Sequence, residues 1–314
     1  MMPVLEVENL EKVFVRGFFR KRTQAIDGLT FQVEAGEVFG FLGPNGAGKT
    51  TTMKILMGLI FPTGGHATIF GVPAGNVQAK RRLGYLPENP YFYDHLSATE
   101  LLHMVGKLYG QDRRTRVQRS GELLERVGLG MAAARSMRSY SKGMLQRVGL
   151  AQALMGDPDL VVLDEPMSGL DPIGRREVRD LIVDLRKRGK TVFFSTHILA
   201  DAEFLCDRVA IVVKGKLVDV GMLGKLLSPQ VLEIPVTWSG TEEHYVELRA
   251  KFSGHHKKTS EGYVFTTDSQ EQVNRFIGEV VAHRGSVLAV SPHRQTLDDL
   301  FAQDAAGPAE ALRS

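Results

Sequence analysis

The chain has 314 residues, of which 43% are hydrophobic and 24% charged, an ordinary composition for a globular protein with room for one large and one small domain. A net charge of +3 argues against a dedicated nucleic-acid binder, and a single cysteine, Cys206, excludes an internal disulfide. No run of about 18 apolar residues occurs, so the sequence predicts no membrane-spanning helix, and the acid-containing N-terminus predicts no signal peptide.

The start of the chain has the pattern of short strands. Alternating apolar and polar residues between positions 4 and 42 predict antiparallel strands that lead into a buried strand. The basic and aromatic stretch at 16–22 predicts a hairpin tip, interpreted as a solvated loop, with contact to anionic lipid headgroups as the alternative. A glycine-rich loop follows, and the residues after it predict a helix at 49–60.

The middle of the chain predicts a helical region. Ser97 and Glu100 have the spacing of a capping box at the start of a helix at 97–109. The apolar face predicted for this helix consists of Leu101, Leu102, Val105 and Leu108. Further helices are predicted at 113–138, which is rich in arginine, and at 141–156.

Strands and helices alternate in the next part of the chain. The predicted elements are a buried strand at 160–163, a helix at 172–188, a strand at 191–195 and a helix at 198–206. This alternation indicates a parallel sheet with right-handed crossovers.

A separate, small α+β unit is predicted after about residue 225. Its predicted elements are strands at 231–238, 262–267 and 286–291 and helices at 242–252, 270–284 and 296–303. The last ten residues, 305–314, lack a core-forming pattern and are predicted to be disordered.

The eight residues that directly follow the buried strand Val38–Leu42, at 43–50, match the phosphate-binding pattern G-x-x-x-x-G-K-[ST]. Glycines in such a loop let backbone N–H groups surround the phosphates, while Lys49 reaches the β and γ oxygens and the Thr50 hydroxyl coordinates Mg²⁺. The predicted phosphate contacts are Gly43, Pro44, Asn45, Gly46, Ala47, Gly48, Lys49, Thr50 and Thr51.

Two acids end the apolar strand at 160–163, which is where a magnesium–triphosphate site needs a carboxylate. Asp164 is predicted to hold Mg²⁺ and Glu165 to act as the general base, and simple solvation of a strand end is the alternative. His197 follows the strand at 191–195 at the same edge of the predicted sheet. It is predicted to contact the γ-phosphate, and a structural histidine is the alternative.

A second anion-binding helix start is predicted at Tyr140–Arg147, about a hundred residues after the first. The phosphate loop, this segment, the Asp-Glu strand end, the turn at 168–171 and His197 stand in an order that resembles the nucleotide-binding subunit of an ABC transporter. The resemblance covers residues 4–225. It implies an α/β P-loop NTPase fold with a mixed, largely parallel sheet core, an antiparallel β subdomain and a helical subdomain at about 89–158.

The same resemblance implies that ATP and Mg²⁺ bind between two heads packed head to tail, in an expected homodimer. Ser141 and Gly143, which stand where the family pattern LSGGQ has its Ser and second Gly, would contact the γ-phosphate held by Lys49 of the other head. Asp171 matches the turn that couples the heads. A transition-state contact that a second subunit supplies can raise the rate of phosphoryl transfer by ~10³–10⁵.

The resemblance also implies roles for two further positions, each with a reservation. Phe14 aligns with the aromatic residue that stacks on adenine, and a core role is the alternative. Glu88 stands where the family usually has a glutamine that faces Mg²⁺ and water, so the sequence departs from the pattern there.

The resemblance also implies a membrane partner. Residues 89–109 correspond to the surface that docks on the permease, and the three aromatics at 91–93 would contribute an apolar patch or an internal contact. The ending Gln295–Phe301 resembles heads of ABC-2-type exporters, which carry a small appended domain, here predicted at 226–304. The expected location is peripheral, on the cytoplasmic face of the cell membrane. The alternative is a non-transport ABC ATPase acting on nucleic acid or ribosomes. We expect no nucleic-acid partner, because the arginine runs are interspersed with acids.

Overall fold

A computed structural model describes residues 3–17, 21–226, 231–260 and 262–294 of the chain. It divides the chain into two units, Met1–Leu226 and Leu227–Ser314. In chain order the first unit contains β1 (Leu5–Arg16), β2 (Lys21–Val33), β3 (Val38–Leu42), α1 (Lys49–Leu56), β4 (Gly64–Ile69), β5 (Val72–Pro73), α2 (Val77–Lys80), β6 (Leu83–Leu86), α3 (Ala98–Leu108), α4 (Arg113–Arg126), α5 (Lys142–Leu154), β7 (Leu160–Leu163), α6 (Pro172–Lys187), β8 (Thr191–Thr196), α7 (Leu199–Leu205), β9 (Arg208–Val213), β10 (Lys216–Gly221) and α8 (Leu223–Leu226).

The first unit is built on two sheets. The central sheet has the order β10-β9-β3-β8-β7-β6, and its strands are parallel except for the antiparallel β9–β10 pair. A second, antiparallel sheet has the order β2-β1-β4-β5. Every residue of β3, β7 and β8 is buried, as expected for strands of a parallel sheet covered on both faces. Because these three strands are parallel neighbours, the loops that follow them meet at one edge of the sheet.

The helical region begins as predicted. The Ser97 side chain accepts a hydrogen bond from the Glu100 N–H, and the Glu100 carboxylate accepts one from the Ser97 N–H, which confirms the capping box. Leu101 and Leu102 are buried, but Leu108 is 82% exposed, so its assignment to the apolar face was wrong. The buried stripe of α3 passes through Gly106, and a position two residues farther on points about 200° away from it.

The predicted helix at 113–138 is also wrong in its extent. Helix α4 ends at Arg126, and the chain continues through two short 3₁₀ turns, Gly130–Ala132 and Met137–Ser139. Gly128 has a φ of +67°, a left-handed conformation that ends α-helices. The strand predicted at 160–163 is confirmed at its exact bounds as β7.

The second unit has its own buried core around Trp238, Phe265 and Phe276. Its elements are β11 (Val231–Ser239), α9 (Glu242–Lys251), β12 (His255–Thr259), β13 (Gly262–Thr267), α10 (Gln270–Ala282), β14 (Ser286–Val290) and β15 (His293–Arg294). They form an antiparallel sheet with the order β12-β13-β11-β14, and β15 pairs with β11.

The predicted α+β character of this unit is confirmed for its described residues. Strand β12 was not predicted, because its sequence, HHKKT, has no apolar residue and is recognisable only from its pairing with β13. The predicted helix at 296–303 and the tail at 305–314 lie outside the described residues. Across the ranges that the structure describes, no helix has the length and apolar character needed to cross a membrane.

We predict that Ser97→Ala lowers the free energy of unfolding of the first unit by about 1 kcal/mol, because the first turn of α3 loses its cap. Urea denaturation followed by circular dichroism measures the change. The matched control is Thr115→Ala, at an exposed position inside α4, which should change the value by less than about 0.5 kcal/mol. An equal effect of the two substitutions would contradict the capping assignment.

Candidate functional site

The phosphate loop connects β3 to α1, and steric contacts require its glycines. A Cβ added to Gly43 would lie 2.2 Å from the carbonyl oxygen of Val212, and one added to Gly48 would lie 2.5 Å from that of Ala25. Gly48 also has a φ of +103° and precedes α1 without a side-chain cap. Because Gly48 has no side chain to cap the helix, the first N–H groups of α1 can bind an anion.

Lys49 is the first residue of α1 and is only 6% exposed. Its ammonium donates hydrogen bonds to the carbonyl oxygens of Gly43 at 2.6 Å and Pro44 at 3.2 Å. It also lies 3.2 Å from Oε1 of Glu165, which follows β7. The loop therefore holds the ammonium within itself and against the carboxylate at the neighbouring strand end.

Asp164 is fully buried at the end of β7. Its Oδ1 accepts hydrogen bonds from the hydroxyls of Ser195 at 2.7 Å and Thr50 at 3.3 Å. Its Oδ2 is buried and has no hydrogen-bond partner among the described residues. Burial raises the pKa of Asp164, the Ser195 and Thr50 hydrogen bonds oppose that rise, and the charges of Glu88 and Glu165 add to it. A bound cation would offset the cost of this buried charge.

Glu165 has a strained backbone, and its side chain contacts Lys49 and His197. Its φ is +48°, in the left-handed region that residues with a Cβ rarely adopt. Its N–H donates to the Ser195 hydroxyl at 2.8 Å, and its Oε2 lies 2.9 Å from Nδ1 of His197. Because a carboxylate only accepts hydrogen bonds, Nδ1 carries the proton in this pair and Nε2 is left for another partner.

Ser195 is a site residue that the sequence alone did not single out. Its hydroxyl donates to Asp164 and accepts from the Glu165 N–H, so it joins β8 to both acids that follow β7. It is completely buried. A hydroxyl in an apolar strand, two residues before the strand-end histidine, is the signal that points to such a role.

These groups surround one cleft of about 330 Å³, which we call the phosphate cleft. It is lined by Ala25, Asn45, Gly46, Gly48, Lys49, Thr50, Thr51, Glu88, Glu165, Ser168 and His197. Most of the predicted phosphate-loop residues are thus brought together with Glu88, Glu165 and His197. Gly43, Pro44 and Ala47 belong to the loop without lining the cleft, and Asp164 lies beneath it through its hydrogen bond to Thr50.

Phe14 is not among the described residues that line the phosphate cleft. It lies on β1 opposite Thr23 of β2, half-buried, with the ammonium of Lys12 5.2 Å from its ring centre. It is also absent from the described residues that form the two cores of the first unit. Stacking on adenine therefore stays a prediction.

The second predicted anion site forms a separate cleft of about 340 Å³, which we call the signature cleft. Ser141 caps α5 and accepts the Met144 N–H at 3.2 Å, and Asp171 caps α6 and accepts the Gly174 N–H at 2.7 Å. The signature cleft is lined by Ser141, Lys142, Gly143, Arg147, Gly169, Leu170, Asp171, Ile173, Gly174 and Glu177.

No described residue lines both clefts, but one turn connects them. Ser168 lines the phosphate cleft, and the next residue, Gly169, lines the signature cleft. The turn at 168–171 therefore leads from the end of β7 to the cap of α6. A shift of this turn would move residues that line both clefts.

The chain is similar to known proteins over most of its length. Residues 26–168 match the family model described as ABC transporter. An ABC transporter ATP-binding protein of Synechocystis is 42% identical over 95% of this chain and 83% of its own length. A fluoroquinolones export ATP-binding protein of Mycobacterium tuberculosis is 44% identical over 62% of this chain and 64% of its own length. A solved ATP-binding subunit of an ABC transporter is 31% identical, with a TM-score of 0.64 over 71% of this chain and 91% of that one.

The chain belongs to the ABC transporter ATP-binding proteins. It is the ATP-binding subunit of an ABC transporter, which confirms the family and the P-loop NTPase fold expected from the sequence.

We predict that Ser195→Ala lowers the free energy of unfolding of the first unit by about 1–3 kcal/mol, because the Glu165 N–H and the Asp164 carboxylate lose a buried partner. Denaturant titration at neutral pH measures the loss. Ser168→Ala is the control, since this hydroxyl lines the same cleft without a hydrogen bond to a described side chain or backbone group. A loss below about 0.5 kcal/mol for Ser195→Ala would show that the hydroxyl does not hold the two strand ends together.

Proposed function

We propose that the chain hydrolyses ATP as one of two identical heads packed head to tail, and that their closure and reopening drive an exporter. The observation that carries this proposal is the separation of the two anion-binding helix starts. Lys49 begins α1 in the phosphate cleft, whereas Ser141 caps α5 in the signature cleft, and the two clefts share no described residue. A nucleotide that contacts both helix starts therefore takes the phosphate cleft from one copy and the signature cleft from another.

In this proposal Glu165 is the general base that accepts a proton from the water attacking the γ-phosphate. Its Oε1 is engaged by the Lys49 ammonium at 3.2 Å. A γ-phosphate in the loop competes for that ammonium, so nucleotide binding releases one carboxylate oxygen for the water. His197 keeps the other oxygen oriented through Nδ1, and its Nε2 is the atom that contacts the γ-phosphate.

Thr50, Asp164 and Glu88 are the proposed ligands of Mg²⁺. The donor set fits this ion because all three side chains offer oxygen, and because Oδ2 of Asp164 is buried without a partner among the described residues. When bound, Mg²⁺ neutralises charge on the β- and γ-phosphates of ATP. Ser195 holds the Asp164 carboxylate in place through Oδ1.

The signature cleft of the second copy completes the site in our proposal. Its Ser141 hydroxyl is exposed at the start of α5, where the first backbone N–H groups of the helix, including that of Gly143, are available to a γ-phosphate. Asp171 holds the start of α6 beside them. The turn at 168–171 then couples closure of one cleft to the other, because it contributes residues to both.

We further propose that the head serves an ABC-2-type exporter, docks on its permease through 89–109, and is peripheral on the cytoplasmic face of the membrane. The support is the named export role of the Mycobacterium tuberculosis relative and the exporter-like ending at 295–301, which lies outside the described residues. Residues 226–304 would be the accessory domain of such a head. Within 89–109, Phe92 packs against the core, while Tyr91 and Tyr93 are 96% and 62% exposed.

We predict that Glu165→Gln protein forms a stable dimer with Mg²⁺-ATP and hydrolyses it at least a hundredfold more slowly than the parent, because closure is retained and the base is lost. Gel filtration with multi-angle light scattering and a phosphate-release assay measure the two effects. Adding Ser141→Arg to the same protein should abolish the dimer, since a long side chain then fills the helix start.

Mixed dimers provide the control for a site shared between copies. Equal amounts of Lys49→Ala and Ser141→Arg protein, otherwise unmodified, should leave one competent site in each mixed dimer, while either variant alone is inactive. Full activity of one variant alone would contradict the shared site. Hydrolysis that persists in Glu165→Gln without dimer accumulation would contradict the general base.

We predict that Tyr91→Ser weakens co-purification with the permease subunit of its transporter by about fivefold or more, because exposed aromatic side chains are common anchors of interfaces. Phe61→Ser is the matched control, since Phe61 is 83% exposed elsewhere on the first unit. The ATP-induced dimer of the Glu165→Gln protein should be unaffected by either change. Equal losses from both substitutions would place the permease contact outside the 89–109 surface.

A further inference from the structure

The signature cleft contains a cation that has no partner among the described residues. Two basic side chains line it, Lys142 and Arg147. Arg147 is engaged, because its guanidinium donates to Glu177 at 3.0 Å and to the carbonyl oxygen of Val127 at 3.3 Å. The ammonium of Lys142 has no hydrogen bond or ion pair with any residue in the described part of the chain.

Lys142 lies at a defined place in this cleft. It is the first residue of α5, directly after the cap Ser141. A Cβ built on Gly169 would lie 3.2 Å from its Nζ and 3.3 Å from its Cε, so the side chain lies over the turn that connects the two clefts. Gly169 has a φ of +70° and no side chain, which leaves this space to the lysine.

Folding does not account for a lysine at this position. The N-terminal end of a helix is the positive end of its dipole, so a cation there is unfavourable. The two acids among the residues that line the cleft have other partners, since Asp171 caps α6 and Glu177 pairs with Arg147. The family pattern has a glycine at this position, which would avoid the repulsion. A bound anion would turn the same charge into an attractive contact.

We propose that Lys142 contacts the γ-phosphate of a nucleoside triphosphate held in the phosphate cleft of a second copy, and thereby makes head closure selective for ATP over ADP. The inference rests on the shared site proposed above. Ser141, the first N–H groups of α5 and the Lys142 ammonium then form one three-part anion site. The exposed ammonium loses its water only when the second head covers it, so the contact strengthens on closure and depends on ionic strength.

The test uses full-length Glu165→Gln protein and the dissociation constant of its Mg²⁺-ATP dimer, measured by sedimentation at low and high salt. Lys142→Gln should raise that constant about tenfold or more at low salt, the value of a charge-assisted hydrogen bond, and should lessen its salt dependence. Lys142→Arg should restore most of the affinity. Lys187→Gln is the matched control, because it removes the same charge from an exposed position at the far end of α6.

Two outcomes would overturn the inference. One is a dimer constant for Lys142→Gln equal to that of Lys187→Gln. The other is tighter closure in Lys142→Gly, which would make the lysine an obstacle to closure. Thermal unfolding of each variant checks that folding is retained, as expected when a cation leaves a helix start.

The Ser141→Arg substitution distinguishes a wrong role for Lys142 from a wrong assignment of the shared site. If Ser141→Arg abolishes the dimer while Lys142→Gln leaves it unchanged, the shared site stands and the role of Lys142 is wrong. If the dimer forms in Ser141→Arg protein as well, the shared site itself is wrong.

Discussion

The buried hydroxyl of Ser195 is the contact on which the phosphate cleft depends. It donates to Asp164 and accepts from the backbone of Glu165, so the end of β8 holds the two acids that follow β7. Glu165 in turn lies against Lys49, which is itself held by the carbonyl oxygens of the loop after β3. Three parallel strands thus place a cation and two carboxylates together with little solvent. Buried charges are tolerated when they are paired, as Lys49 and Glu165 are, whereas Asp164 has hydroxyl partners and no cation among the described residues.

The arrangement of the clefts follows from where the chain can place helix starts. Helix α1 begins at the edge of the parallel sheet, because a strand of that sheet leads directly into it. Helix α5 is the last helix of the helical region, and α6 begins at the end of the turn that follows β7. Across the described residues, the two clefts are therefore formed by different elements, and the turn at 168–171 connects them. In the shared site that we propose, each head contributes half of two sites, and the connecting turn is the route for coupling between them.

Two departures from the family pattern, Glu88 and Lys142, change the charge of the clefts. Glu88 lines the phosphate cleft and adds a negative charge near Asp164. Lys142 lines the signature cleft and adds a positive charge near Ser141. The electrostatic field that a triphosphate meets therefore differs from that of a cassette with neutral residues at these places, while hydrogen-bond donors from the loop and from α5 remain.

The sequence by itself determined the phosphate loop, the Asp164–Glu165 strand end, the capping box at Ser97 and the order of strands and helices, because each depends on local spacing or on a local steric need. Tertiary structure decided the rest. Ser195 acts through partners on another strand, Leu108 is exposed because the core covers a different stripe of α3, and β12 exists as a strand only through its pairing with β13. That the two predicted anion sites occupy separate clefts was likewise decided by packing, since no local pattern records which distant residues share a space.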